Sequence, residues 1–119
     1  MANPNLVNVT SITGESVQAA LTTDLTTQIL LAAADTLVKV NNIIIANIDG
    51  SASVDVSVFI TKSTGSPLAI ASTVSVPADS TLIAFDKNSS IYLEEGDNIE
   101  AGASANSDAT ITINYEELN

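Results

Sequence analysis

At 119 residues the chain has the length of one domain, and its 45% apolar content suffices for a core, an aliphatic one because only two Phe and two Tyr are present. Fourteen acidic residues against three lysines (Lys39, Lys62 and Lys87) give a net charge of −11, which repels phosphate backbones and anionic lipid surfaces and argues against nucleic acid or membrane as partners. The absence of His, Cys and Arg removes disulfides, thiolate metal sites and nucleophile–base pairs built on imidazole or thiol, so no enzyme is expected.

Residues 1–5 are polar, contain Pro4 and show no periodicity, which reads as an extended N-terminal arm over residues 1–8; residues 9–119 read as a single β-sandwich. The opening lacks the basic and apolar regions of a signal peptide, and no apolar run approaches the roughly 18 residues that span a bilayer. Synthesis and assembly in a cytoplasm are therefore expected. Residues 28–34 suit a strand or a short helix; the threonines at 22, 23, 26 and 27 oppose a helix start and favour the strand.

A tight turn at 34–36 leads into a long apolar run over 37–48. Asp49-Gly50 then separates this run from Val54-Asp55-Val56-Ser57-Val58-Phe59-Ile60-Thr61, in which Val54, Val56, Val58 and Ile60 share one face. An Asp-Gly pair between two such runs predicts a hairpin within one sheet. Farther on, Leu68 to Val76 stops at Pro77, and residues 78–80 turn the chain into a strand over 81–86. Ile91 to Leu93 is a short strand, Glu94-Glu95-Gly96-Asp97 is a turn in which Gly96 can take positive φ, and residues 98–104 are extended again. A last turn at 105–108 precedes an alternating strand with Ile111, Ile113 and Tyr115 on one face. Turns at this frequency predict an all-β antiparallel sandwich with jelly-roll or Ig-like Greek-key connections.

Two groups of residues invite chemistry. Glu94, Glu95, Asp97 and Asn98 offer oxygen ligands to Ca²⁺, but the alternating ligand positions of a binding loop are missing, and acidic-Gly-Asp is ordinary turn composition, so no metal or other cofactor is expected. Glu94, Glu95, Asp97 and Glu100 could supply a glycosidase pair, yet no Trp and few other aromatics are present to wall a sugar cleft.

The order Lys39-Val40-Asn41-Asn42-Ile43-Ile44-Ile45-Ala46-Asn47, Ser75-Val76-Pro77-Ala78-Asp79-Ser80-Thr81-Leu82, Ile91-Tyr92-Leu93-Glu94-Glu95-Gly96-Asp97 and Tyr115-Glu116-Glu117-Leu118, with the opening Met1-Ala2-Asn3-Pro4-Asn5, resembles small virion structural proteins of tailed bacteriophages, particularly marine cyanophages. The resemblance implies an all-β component of a particle and brings no catalytic residues. It leads to the expectation of a capsid decoration (cement) protein on the outer surface of the virion, bound to the major capsid protein or another virion protein and assembled as a homo-oligomer such as a trimer. Asn3, Pro4, Asn5, Leu6 and Val7 are the expected docking segment, because they lack a core role and can add an extended strand to a neighbour. The alternative is a tail or fibre-associated domain that recognises a host-surface ligand.

Overall fold

The computed structural model describes residues 6–88 and 91–119. A 3-10 turn at Leu6–Asn8 precedes β1 (Ile12–Ala20), β2 (Gln28–Leu31), β3 (Leu37–Asn47), β4 (Val54–Thr61), β5 (Leu68–Val76), β6 (Thr81–Phe85), β7 (Ile91–Leu93), β8 (Asn98–Ala103) and β9 (Ala109–Leu118). Their Val, Ile and Thr side chains suit a pleated surface, and positive φ at Asp35, Asp79, Ser107 and Gly96 marks the tight turns between them.

The strands form two antiparallel sheets. One has the order β1-β9-β3-β6, with β7 also paired to β3, and the other β2-β8-β4-β5. Strand β1 pairs with β9, β2 with β8, β3 with β6 and β7, and β4 with β5. These are the pairs of one long hairpin with its tip at the β4–β5 turn, rolled up so that successive arms alternate between sheets. The result is a jelly roll in which β6 and β7 share one position, and this order separates it from an Ig-like Greek key.

Register builds the core in rows. Across the first sheet, Val17, Ile113, Ile43 and Phe85 lie side by side, followed by Ala19, Ile111, Ile45 and Leu82. They pack against Val54, Val56, Val58, Ile99 and Ala101 of the second sheet. Ile43, Ile45, Ile111 and Ile113 have no exposed surface, and each contributes roughly 1.5–3 kcal/mol through burial. The expected core face of β4 is present, with Ile60 partly rather than fully buried.

The expected Asp-Gly hairpin is not. Strand β3 lies in the first sheet and β4 in the second, so residues 48–53 cross the sandwich. The hairpin turn associated with Asp-Gly needs positive φ at both residues, and neither Asp49 nor Gly50 has it. Instead, the Asp49 carboxylate accepts the amide and hydroxyl of Ser51, each at 2.9 Å, in a local side-chain turn. Among the described residues, the hairpin between consecutive strands of the second sheet is β4–β5.

A strand that the sequence does not mark and one further difference concern the start of the chain. Strand β1 has no apolar alternation, because only Val17 and Ala19 reach the core and Glu15, Ser16 and Gln18 are exposed. Within the expected arm, Leu6–Asn8 form a 3-10 turn rather than extended chain. The other expected docking residues, Asn3, Pro4 and Asn5, lie outside the described residues.

Candidate functional site

The acidic turn lies between β7 and β8, at the end of the sandwich where the β2–β3 and β4–β5 connections also close. Asp97 is its hub. Its side chain is 2% exposed and accepts from Lys62 Nζ at 2.5 Å, from the Ser63 amide at 3.0 Å and from the Glu94 amide at 2.9 Å. Lys62 also donates to Glu94 at 2.8 Å. Burial opposes ionisation of Asp97, but the hydrogen bonds from Lys62, Glu94 and Ser63 outweigh it and hold the carboxyl below its ordinary value. Hydrogen bonds to Asp97 and Glu94 in turn raise Lys62. Gly96 is required twice over: its φ is +85°, and a Cβ there would lie 2.8 Å from Ser63 Cβ.

The Lys62 ammonium therefore supplies the positive charge that this turn accommodates. Glu95 accepts the Asp35 amide at 2.6 Å, and Glu100 accepts the Thr61 hydroxyl at 3.0 Å. Glu94 and Asp97 thus share Lys62, whereas Glu95 and Glu100 are held by partners of their own. Among the described residues, no three acidic side chains converge on a metal position.

The sign of the pH dependence follows. A carboxyl held below its unfolded value of 3.8 contributes stability that is present above that value and is lost as pH falls through the folded value. Asp97→Asn is expected to lower the melting temperature at neutral pH, with the deficit against the parent shrinking as pH falls below the unfolded value of 3.8. Thermal melts of both proteins across this range check the prediction; a deficit independent of pH would mean that the turn does not use the ionised form.

On the outer face of the second sheet, residues 22–27 cross over β8. Gly102 permits the close approach, since a Cβ at that position would lie 2.7 Å from Leu25 Cα. Beside the crossing is a shallow depression of about 280 Å³, lined by Thr23, Leu25, Asp55, Ser57, Thr73 and Ser104 among others. Thr73 has φ +51°, a left-handed conformation unusual for a β-branched residue, and β5 is irregular here in its pairing with β4. The nearly buried Ser57 hydroxyl accepts the Thr73 amide at 2.9 Å and supports this backbone. Strain of this kind costs about 1–3 kcal/mol and persists only where the surroundings impose it. The polar groups that the lining offers are hydroxyls and the Asp55 carboxylate. Neither Ser57 nor Thr73 stands out in the sequence, because Gly or Asn, the usual markers of left-handed backbone, is absent there.

The outer face of the first sheet has a different character. Its residues alternate with the buried isoleucines and form cross-strand rows: Gln18 beside Thr112, Ile44 and Ile83, and Ala20 beside Thr110, Ala46 and Thr81. Ser16, Asn114 and Asn42 make a third row. Gln18 donates to Thr112 at 3.2 Å and Asn114 to Asn42 at 2.7 Å, which ties the polar side chains to one another across the strands. Among the described residues, the charged side chains that register places on this face are Lys39 and Glu116, which pair at 3.8 Å at one margin. Most acidic residues lie in the connections instead: Asp24, Asp49, Asp79 and Asp108 at one end, and Asp35, Glu94, Glu95 and Asp97 at the other.

The beginning of the described chain is clipped to its last residue. The amides of Thr10 and Ser11 donate to the Asn119 carbonyl at 2.9 and 3.0 Å, and the Asn119 amide returns a bond to Ser11 at 3.0 Å. Just before this clip, Leu6 and Val7 are 52% and 88% exposed, and Ile12 is 64% exposed just after it. The two described residues of the expected docking segment thus lie on the surface, outside the core.

No family model matches the chain, and no curated protein matches it. The fold and its surfaces define an all-β jelly-roll sandwich with acidic ends, one nearly charge-free sheet face and an apolar exposed start.

Proposed function

We propose that this protein is a non-enzymatic virion component of a tailed bacteriophage, a capsid decoration protein that binds the major capsid protein or another virion protein on the outer surface of the head. The observation that carries this reading is the division of the surface. A protein displayed in many copies needs one area that docks and another that keeps neighbouring copies apart. Acidic ends provide mutual repulsion, whereas the exposed Leu6, Val7 and Ile12 provide area from which little charge must be desolvated. The jelly roll is compatible with capsid roles but is also used for many others, so the fold alone carries little weight. Asn3, Pro4 and Asn5, continuing into Leu6 and Val7, are the proposed docking arm.

The test is to count this chain on purified particles, with and without residues 1–5. A decoration protein is expected at on the order of hundreds of copies, in keeping with a symmetric shell. The truncated protein should fold with the parent's melting temperature but occupy fewer sites. Full occupancy by the truncated protein would remove the arm from the reading, and absence of the chain from particles would remove the virion role.

A second reading, a tail or fibre-associated domain that binds a host-surface ligand, is favoured by one specific observation: the hydroxyl-lined depression with the strained Thr73 at its wall. A few to tens of copies per particle would select it over the first.

A further inference from the structure

We propose that the outer face of the β1-β9-β3-β6 sheet is a self-association surface whose occupant is a second copy of this chain, stacked face to face about a twofold axis. Charge supplies the first argument. Copies that each carry −11 repel wherever acidic residues meet, and among the described residues the charged side chains that register places on this broad face are the mutually paired Lys39 and Glu116. An oppositely charged partner would instead be drawn to the acidic ends.

Shape supplies the second argument. At one margin of the face Ile83 projects from β6 with 62% of its surface exposed. At the opposite margin, between β1 and β9, lies a shallow depression of about 310 Å³ lined by Gln18, Ala20, Thr110 and Thr112. Knob and depression share a row, because Ile83 pairs with Ile44, Ile44 with Thr112, and Thr112 with Gln18. A twofold axis between stacked copies and parallel to their strands reverses the strand order across the face while keeping position along it. This operation lays Ile83 of each copy over Gln18 and Thr112 of the other, so that one contact occurs twice.

The size of the face bounds the outcome. Four strands about 4.8 Å apart, over seven residues rising about 3.4 Å each, cover roughly 400–450 Å² in plan. A standard interface buries about 800 Å² of accessible surface per partner, so the dimer is a weak one.

Sedimentation equilibrium on the purified full chain, from micromolar to millimolar concentration, tests the proposal. The mass is expected to rise towards twice 12.2 kDa, and more readily in about 0.5 M than in about 0.02 M salt, because screening relieves the repulsion between acidic ends. Ile83→Glu and Thr112→Lys, both surface changes expected to keep the parent's melting temperature, should each remain monomeric. Mixing the two should restore a dimer, since glutamate of one then faces lysine of the other while the second contact pairs native Ile83 with native Thr112. A parent that stays monomeric to millimolar concentration, a trimer, a dimer that salt dissociates, or single variants that associate like the parent would overturn the proposal. None of these results bears on the virion reading, which is tested by copies per particle.

Discussion

Val56→Asp is expected to unfold the domain at room temperature. Val56 has no exposed surface and sits in the middle of the second sheet, between Val74 on β5 and Ala103 on β8. Its side chain faces the isoleucine rows of the first sheet, where no lysine can approach an introduced carboxylate. Burying that group unpaired, or protonating it to avoid the charge, costs several kcal/mol, a large fraction of the roughly 5–15 kcal/mol by which domains are stable. Circular dichroism melts would show whether cooperative unfolding survives. A variant melting within a few degrees of the parent would mean that β4 does not present this face to the core. Val56→Ala is the milder companion, with an expected loss of about 1–3 kcal/mol from lost packing alone.

Asn47→Ala should cost about 2–4 kcal/mol, although Asn47 contributes nothing to the apolar core. This side chain is 2% exposed and all its principal hydrogen-bonding atoms are used. Its Nδ2 donates to the carbonyls of Ala52 at 3.0 Å and Val76 at 2.9 Å, and its Oδ1 accepts the Asp49 amide at 2.9 Å. One amide thus closes the β3–β4 crossing and ties it to the end of β5. Removing the amide leaves these backbone groups without their partner. Asn47→Asp should be worse at neutral pH, because a carboxylate would replace a donor that serves two carbonyls. Urea unfolding of the three proteins ranks them; equal stability of Asn47→Ala and the parent would mean that water satisfies the same groups at no cost.

The two variants illustrate which parts of the fold were legible. The β4 face follows from a period of two in eight consecutive residues, a local property that survives any choice of neighbouring strand. The acidic turn with Gly96 was equally readable, since positive φ at glycine before a new strand needs no tertiary information. Asn47 gave no such signal. Its partners at residues 52 and 76 come together only when two separate connections close over the same end of the sandwich, where the Asp79 amide also donates to the Asp49 carbonyl at 3.2 Å. For the same reason Asp49-Gly50 reads locally as a hairpin and functions as a crossing. Composition there permits both, and long-range hydrogen bonds select one.

By itself the sequence determined an all-β aliphatic sandwich, the positions of most turns and the inward face of its clearest strand, because alternation, glycine and proline act over a few residues. Only the tertiary structure decided which strands are neighbours, and with that the surfaces. Gln18, Thr112, Ile44 and Ile83 belong to four strands far apart in the chain, yet register places them in one row. Ser57 and Thr73 meet because β5 is irregular against β4. Alternation states which residues of a strand share a side; the strand beside it is set by how the whole chain buries its isoleucines and satisfies its crossings, and no short window of sequence contains that information.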